Sequence, residues 1–395
     1  MRSRRSIIAI VICAGMLVPM GFLARCYVRA GPPNKGVSMQ AERPASKQPD
    51  LEASEQTGTA GPDIRASSWK VLAGCHLSSV AWSPGGDYIA FVATPKASSE
   101  EYREEIPEYA GIWLLEAPVK GVRLKRLIRF DTESIAVALF WMSDTEIGWA
   151  TNGYHCADYV GFTFLAVDLK GGKPRQLVPC GFKTGRTWPF VPSQQPNDVY
   201  WNAEGREILF TSYPVFGPPG PAAGLASPEL LAIYRLDGGT LEMVGLHDVD
   251  TPVSFCGVPG TEGVYLATVA LPLTDPEESV LWHAGSYRSV EKREKIAGEV
   301  GRRIVFPRLS PGGEKLAWLS VLMRDEYRPV TDKLVVYDLA GRVRRVVASL
   351  SSYWDVPDPG LGCPYSWSPT GEEIAYADGS VVKTVHVPAD AAGRN

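Results

Sequence analysis

The hydrophobic and polar positions beyond residue 68 repeat one pattern. A short apolar stretch leads into a polar turn containing Pro and Gly, and a second apolar stretch follows, as in residues 80–91 and 365–376. Two apolar strands around a tight turn predict a β-hairpin. In four copies the bulky residue before the turn and the aromatic residue after it are nine positions apart, and these pairs are Trp82/Phe91, Trp201/Phe210, Leu309/Trp318 and Trp367/Tyr376. Such a constant separation is expected when one hairpin register is reused.

The hairpin occurs six times at nearly equal intervals. Two degenerate copies, at residues 140–149 and 253–267, fill the gaps between the clearer ones. The anchor residues of the first strands are Trp82, Trp141, Trp201, Phe255, Leu309 and Trp367, and the steps between them are 59, 60, 54, 54 and 58 residues. Each copy is followed by a third apolar stretch and most by a fourth. The sequence therefore predicts an all-β fold, a six-bladed β-propeller of four-stranded antiparallel blades.

The two ends of the repeat region predict how the ring closes. The sixth copy ends after its third strand near residue 387, while an unpaired stretch at residues 69–72 precedes the first copy. We expect that stretch to be the outer strand of the sixth blade, because this pairing removes an open sheet edge. The predicted propeller domain is residues 68–395.

The amino-terminal region predicts export. Residues 6–24 form an uncharged run of 19 residues that follows Arg2, Arg4 and Arg5, and a helix of this length reaches roughly 28 Å, enough to cross a membrane. Residues 1–29 are thus a signal anchor or a signal peptide, and the arginines favour a propeller outside the cytoplasm. Retention would make the chain a single-pass protein of the cytoplasmic membrane, whereas cleavage after Ala30 would make it secreted or periplasmic. Residues 30–67 are rich in Pro, Ser and charged residues and predict a flexible linker.

Composition narrows the classes of partner. The 395 residues include 40 Lys+Arg and 44 Asp+Glu, for a formal charge of −4 without a dense basic block. A nucleic-acid partner is therefore not expected. Five cysteines follow residue 67, namely Cys75, Cys156, Cys180, Cys256 and Cys363. Bridges between Cys75 and Cys363 or between Cys156 and Cys180 remain open, as do reduced cysteines.

The hairpin motif has a family resemblance. The pattern Trp/Phe-Ser-Pro-x-Gly-x-x-Ile-Ala-Phe in residues 82–91, with related copies at 309–318 and 367–376, resembles the repeats of TolB-type β-propellers over most of residues 69–395. A WD-repeat assignment is weaker, because the single Trp-Asp pair, Trp354-Asp355, does not end a third strand. The resemblance implies a propeller fold, export and a role as an interaction platform, and it brings no catalytic residue.

Binding residues are expected on one face of the ring. Connections in an antiparallel meander alternate between two faces, so the Ser-Pro-Gly turns share a turn face and the long irregular segments share an elaborated face. The long segments are residues 94–110, 153–161, 179–197, 213–228, 321–332 and 351–365. Because function concentrates in loops on a rigid scaffold, we expect an unidentified protein partner on the elaborated face. The candidate binding residues are His155, Asp158, Tyr159, Trp188, His247, Asp248, Tyr327, Arg328, Trp354 and Asp355.

No motif in the sequence indicates a specific reaction. The five histidines are widely separated, and neither a Gly-x-Ser-x-Gly motif nor a phosphate-binding loop occurs. We therefore predict no catalytic residue, no metal site and no cofactor. The leading hypothesis is a protein-binding or scaffold module. The alternative is a polysaccharide- or glycoside-active lyase or hydrolase at the channel mouth, which would bring His, Arg, Tyr and carboxylate side chains together in a funnel on the elaborated face.

Overall fold

The computed structural model describes most of the repeat region. The described residues are 55–59, 65–70, 75–95, 109–116, 123–130, 135–156, 159–178, 198–212, 230–245, 251–269, 278–324, 328–350 and 362–387. All of them belong to one compact unit, residues 50–395. None of these segments forms a helix long and apolar enough to span a membrane. The predicted membrane segment 6–24 lies outside the described residues.

The described residues form six antiparallel sheets, numbered here as blades 1 to 6 in chain order. Blade 1 contains β3 (Cys75–Trp82), β4 (Tyr88–Pro95), β5 (Gly111–Glu116) and β6 (Leu124–Arg129). Blade 2 contains β7 (Ile135–Ser143), β8 (Glu146–Cys156), β9 (Tyr159–Asp168) and β10 (Arg175–Gln176). Blade 3 contains β11 (Val199–Asn202), β12 (Glu207–Ser212), β13 (Leu230–Arg235) and β14 (Thr240–Gly245). The strands of blades 4 and 5 are β15 (Thr251–Gly257), β16 (Val264–Val269), β17 (Glu278–Ala284) and β18 (Arg293–Val300); and β19 (Arg303–Leu309), β20 (Lys315–Arg324), β21 (Arg328–Asp338) and β22 (Val343–Leu350). Blade 6 contains β23 (Tyr365–Trp367), β24 (Glu373–Asp378), β25 (Val381–His386), β2 (Arg65–Lys70) and β1 (Glu55–Thr59). The predicted six-bladed propeller is confirmed.

The ring closes through blade 6 as the sequence predicts. Strand β2 pairs with β25, with Ala66 opposite Val385 and Lys70 opposite Val381. Strand β1 then pairs with β2 and adds a fifth strand that the sequence does not predict. Both strands begin inside the predicted linker, and residues 55–59 and 65–67 are paired in strands. Backbone pairing at a sheet edge satisfies N–H and C=O groups even where apolar side chains are few. The rest of the predicted linker lies outside the described residues.

The Ser-Pro-x-Gly motif has the same hydrogen bonds in blades 1, 5 and 6. In blade 5 the Ser310 N–H donates to the Lys315 carbonyl at 2.8 Å, and the Lys315 N–H donates back to Ser310 Oγ at 3.0 Å. The Gly313 N–H closes the turn on the Ser310 carbonyl at 2.8 Å, with φ at 74°. Glycine suits this left-handed backbone because it lacks a Cβ. The corresponding serines in blades 1 and 6 are Ser83 and Ser368.

Side chains of one blade satisfy backbone groups of the next blade's innermost strand. Ser79 Oγ accepts the Leu139 N–H at 2.8 Å, between blades 1 and 2. Ser254 Oγ accepts the Phe306 N–H at 2.7 Å between blades 4 and 5, and Ser366 Oγ accepts the Trp82 N–H at 3.0 Å between blades 6 and 1. An innermost strand is an edge strand, so its free donors need such partners.

The anchor tryptophans lie in the seams between blades. Trp141 Nε1 donates to the Ala81 carbonyl at 3.0 Å and joins blade 2 to blade 1. Trp367 Nε1 donates to the Arg308 carbonyl at 3.1 Å and joins blade 6 to blade 5. Trp201 instead stacks on Phe140, with ring centroids 6.4 Å apart, and its buried Nε1 has no hydrogen-bond partner among the described residues.

Two of the segments expected to be irregular are extended hairpins. Strands β8 and β9 continue through residues 153–161 as far as the Cys156–Tyr159 pair, and β20 and β21 continue to the Arg324–Arg328 pair. The loop prediction is wrong there because backbone pairing continues beyond the apolar core positions, where the hydrophobic pattern is too weak to indicate a strand.

The cysteines that the structure describes are reduced. Cys75, Cys256 and Cys363 are buried, and none of the three forms a disulfide bond. A Cys75–Cys363 bridge is therefore absent. The backbone of Cys363 instead accepts the Val80 N–H at 2.9 Å, which joins blade 6 to blade 1. The side chains of Cys156 and Cys180 lie outside the described part of the chain.

Candidate functional site

A cavity opens where turns of four blades meet on the turn face. It has a volume of about 390 Å³ and is lined by Pro84, Pro259, Arg308, Leu309, Ser310, Pro311, Ser366, Trp367 and Pro369. The turns pack tightly: a Cβ added to Gly86 would meet Pro369 at 3.6 Å, and one added to Gly371 would meet Pro311 at 3.6 Å. Four prolines, a leucine and a tryptophan make this mouth largely apolar.

Arg308 lines the cavity and forms a two-pronged ion pair with Asp198. Arg308 Nη1 donates to Asp198 Oδ2 at 3.1 Å, and Nη2 donates to Oδ1 at 2.5 Å. The Asp198 side chain is 1% exposed and that of Arg308 is 21% exposed. Asp198 directly precedes β11 of blade 3, whereas Arg308 lies on β19 of blade 5. The pair therefore links two blades that are not neighbours.

The remaining hydrogen bonds of this pair go to backbone groups. Asp198 Oδ1 accepts the Val199 N–H at 3.0 Å, and Oδ2 accepts the Phe255 N–H of blade 4 at 3.3 Å. Arg308 Nη1 also donates to the Phe255 carbonyl at 3.1 Å and to the Pro307 carbonyl at 2.9 Å. Both carboxylate oxygens are thus occupied by two donors each. Such charge-assisted and two-pronged bonds are among the strongest that proteins form.

Burial and pairing set the electrostatics of this centre. Burial raises the pKa of Asp198, an effect that Arg308 and the two N–H donors oppose. Burial works against the charge of Arg308, but the Asp198 carboxylate raises the pKa of Arg308 well above its usual value. The Arg308 guanidinium therefore stays charged, and the Asp198 carboxylate that it binds compensates this charge.

Two thiols and a phenol surround the pair. Burial raises the pKa of Cys256 and raises that of Cys363 to about 12. Burial likewise raises the pKa of Tyr365 well above its usual value, and its hydroxyl donates to the Phe306 carbonyl. These groups stay protonated at neutral pH, whereas nucleophilic chemistry would need a thiolate or a phenolate.

The arrangement is suited to holding the blades together. Each oxygen of Asp198 already accepts two hydrogen bonds, so neither is available to accept a proton from a substrate. Cys363 Sγ donates a hydrogen bond to the Tyr365 carbonyl at 3.1 Å. Across the described segments, no group of His, Cys, Asp and Glu side chains is placed to hold a metal ion.

The predicted site residues fall largely outside this description. His155, Tyr159 and Arg328 lie on the extended hairpins β8–β9 and β20–β21, where only their backbone is described. The other predicted residues, Asp158, Trp188, His247, Asp248, Tyr327, Trp354 and Asp355, lie outside the described residues. A binding site on the elaborated face therefore remains a prediction.

Sequence reasoning missed Asp198 and Arg308, which are 110 positions apart. A signal was present. Arg308 directly precedes the anchor Leu309. In the other blades the residue directly before the anchor is uncharged, and these residues are Ala81, Phe140, Tyr200, Ser254 and Ser366. A charged residue at an otherwise uncharged repeat position indicates either an exposed site or a buried partner.

Comparisons with known proteins give the following likenesses. No protein-family model and no curated protein matches the chain. A protein assigned as TolB from Agrobacterium tumefaciens aligns at 12% identity and a TM-score of 0.49, covering 83% of this chain and 100% of that one. An oligogalacturonate lyase from Vibrio parahaemolyticus aligns at 10% identity and a TM-score of 0.49, covering 86% and 98%. A nidogen/laminin complex aligns at 13% identity and a TM-score of 0.43, covering 77% and 86%. At these values the assignment of the fold rests on the strand pairing of the chain itself.

Proposed function

We propose that this chain is a non-enzymatic propeller that binds a partner protein outside the cytoplasm while held at the cytoplasmic membrane. The observation that carries the binding role is the cavity on the turn face, whose lining is largely apolar. Arg308 is the only charged residue of that lining in the described structure, and Asp198 already compensates its charge. A concave apolar surface with few polar groups is typical of sites that receive apolar side chains.

The proposal of a membrane anchor rests on the uncharged segment 6–24. Retention of this segment places the chain in the membrane, and carbonate extraction would leave it there. Recovery of a shortened chain in the soluble fraction would instead support cleavage and a secreted or periplasmic propeller.

Site-specific photo-crosslinking tests the binding role. A photoreactive residue at Pro311, in the mouth, is expected to form a discrete adduct with one protein in cells that produce the chain. The control position is Val346, which is 46% exposed on the outer strand of the same blade. An equal adduct pattern at both positions would contradict a mouth that binds a partner, and an adduct only from a probe at Arg328 would move the site to the elaborated face.

A charge in the mouth provides a second test. Pro311→Asp is expected to weaken partner binding at least tenfold, because it places an uncompensated carboxylate against an apolar ligand. Gly312→Asp adds the same charge to the same turn at a residue outside the cavity lining, and it should bind as the parent chain does.

The alternative function, a polysaccharide- or glycoside-active enzyme, has less support. A glycoside hydrolase usually needs two carboxylic groups in different protonation states near the substrate. Among the described residues, no carboxylate lines the turn-face cavity, and Asp198, which pairs with the lining residue Arg308, is 1% exposed and fully hydrogen-bonded. Release of sugar products from uronate or neutral polysaccharides by the purified chain would favour the alternative.

A further inference from the structure

The outer edge of blade 1 carries an unusual concentration of basic residues. Strand β6 reads Leu-Lys-Arg-Leu-Ile-Arg and directly follows Arg123. The turn after β9 in blade 2 adds Lys170 and Lys173. We refer to Arg123, Lys125, Arg126, Arg129, Lys170 and Lys173 as the basic rim.

A hydrogen bond joins the two parts of the basic rim. Lys125 Nζ donates to the Leu169 carbonyl at 2.7 Å, which joins the edge of blade 1 to the turn of blade 2. Arg123, Arg129, Lys170 and Lys173 are exposed. Arg126 lies over the Trp113 ring at 5.7 Å. The charges therefore lie on both sides of one outer strand: Lys125 faces blade 2, whereas Arg126 lies on the side of blade 1 that packs against blade 6.

These charges are poorly compensated. Arg123, Arg129, Lys170 and Lys173 form no ion pair with any described residue, and the acidic neighbours on these segments are Glu116 and Asp168. On other outer strands the basic residues are paired, as in Lys295 with Glu278 at 3.2 Å and Arg344 with Glu299 at 2.7 Å. Charges on an edge strand also discourage strand addition, but charge of either sign serves that purpose. A surplus of one sign on a chain of net charge −4 calls for an anionic partner.

The basic rim adjoins the blade through which the chain enters the propeller. Arg126 pairs with Trp113 and Arg129 with Gly111, so both lie on the same side of blade 1. Trp113 packs in a cluster with Ala375, Ala377 and Val382 of blade 6. Blade 6 contains β1 and β2, which bring the chain in from the amino terminus.

We propose that the basic rim binds the anionic phospholipid headgroups of the membrane that holds residues 6–24. This inference rests on the proposed membrane anchor. The 30 residues from 25 to 54 lie between that segment and β1, and such a length spans at most about 100 Å. A tethered surface meets the bilayer at a high effective concentration, so contacts that are individually weak suffice. Juxtamembrane clusters of Lys and Arg bind anionic leaflets in this way.

Hydrogen exchange of the full-length chain in nanodiscs tests the proposal. The two preparations contain either phosphatidylcholine alone or phosphatidylcholine with phosphatidylglycerol. We expect the amides of residues 123–130 to exchange at least about fivefold more slowly in the anionic discs, while those of β18 exchange equally in both. The protection should disappear at 0.5 M salt, where exposed charges are screened within a few ångströms. Equal exchange of residues 123–130 in the two lipids would overturn the proposal.

Matched variants separate the basic rim from general charge. Arg123→Gln, Arg129→Gln and Lys173→Gln together should abolish the protection. Lys292→Gln, Lys295→Gln and Arg342→Gln remove the same charge from exposed positions on blades 4 and 5 and should retain it. Loss of protection in both sets, or in neither, would contradict a specific surface.

A flotation experiment distinguishes failure of the anchor from failure of the rim. A chain anchored by residues 6–24 floats with vesicles of phosphatidylcholine alone. If it does not, the anchor is refuted, and the rim is judged by flotation with vesicles that contain phosphatidylglycerol. If the parent chain floats with the phosphatidylglycerol vesicles and the rim variant does not, the lipid-binding surface is supported. If the parent chain does not float with them, the proposal is overturned.

Discussion

Removing the charge of Asp198 is expected to destabilise the propeller strongly. Asp198→Asn leaves the mostly buried guanidinium of Arg308 without its counter-charge, and the new amide N–H groups then face existing N–H donors. Breaking a buried pair by removing one partner costs about 3–5 kcal/mol. For a domain of roughly 330 residues this corresponds to a decrease in Tm of about 4–7 °C. The measurement is thermal and urea unfolding of the full-length chain, followed by tryptophan fluorescence.

An exposed ion pair supplies the matched control. Arg206 and Asp237 are 2.9 Å apart, with side chains 58% and 71% exposed. Asp237→Asn removes the same charge by the same chemical change. Exposed pairs contribute little, so the expected change in unfolding free energy is below about 0.5 kcal/mol.

A double variant examines the cause of the loss. Replacing both partners, with Asp198→Leu and Arg308→Met, removes the uncompensated charge together with the pair. Apolar replacement of a buried ion pair is often neutral or stabilising, so the double variant should be more stable than Asp198→Asn. The reasoning is refuted if Asp198→Asn matches Asp237→Asn, or if the double variant is less stable than the single one.

Three further predictions concern turns, seams and thiols. Gly313→Ala should cost about 1 kcal/mol because φ is 74° there, whereas Gly312→Ala in the same turn should cost almost nothing; equal urea midpoints would refute the role of the left-handed backbone. Trp141→Phe should cost about 1–2 kcal/mol more than Trp201→Phe, because only the Trp141 indole N–H has a hydrogen bond to lose, and unfolding of both variants measures the difference. The pKa of Cys363 is raised to about 12 in the folded chain, so its stabilising effect is complete below the ordinary thiol value near 8.5 and is lost as pH rises towards 12. The parent chain should therefore lose more stability than Cys363→Ala over that range, and native Cys363 should resist alkylation at pH 8.5; parallel pH profiles or rapid alkylation would contradict this.

The architecture could be predicted from the sequence because each hairpin is specified locally. The serine and glycine of one turn make their hydrogen bonds within six residues, as between Ser310 and Lys315, so each copy carries its own signal. The closing strand was predicted from an apolar stretch and observed at Arg65–Lys70, a few residues earlier. Strand β1 was missed because Glu55–Thr59 has no apolar pattern and is held by its backbone.

The centre of the site could not be predicted in the same way. Asp198 and Arg308 meet only because the ring places blades 3 and 5 around one channel. No local spacing encodes a contact between residues separated by two repeats. The repeat alignment identifies Arg308 as exceptional in its position, but it does not identify Asp198 as its partner.

The location of the ion pair follows from the weakness of the repeats around it. Blades 1, 2, 3 and 6 have tryptophan anchors, and the indole N–H groups of Trp141 and Trp367 bridge their seams to the preceding blade, whereas that of Trp82 donates to the Gly86 carbonyl of its own turn. Blades 4 and 5 have Phe255 and Leu309 at the anchor position, which have no side-chain donor. At those seams the bridging bonds come instead from the Asp198 carboxylate and the Arg308 guanidinium, which both bind the backbone of Phe255. The charged pair thus bridges the two seams at which the following blade has no tryptophan anchor, and Asp198 and Arg308 hold blades 3, 4 and 5 together.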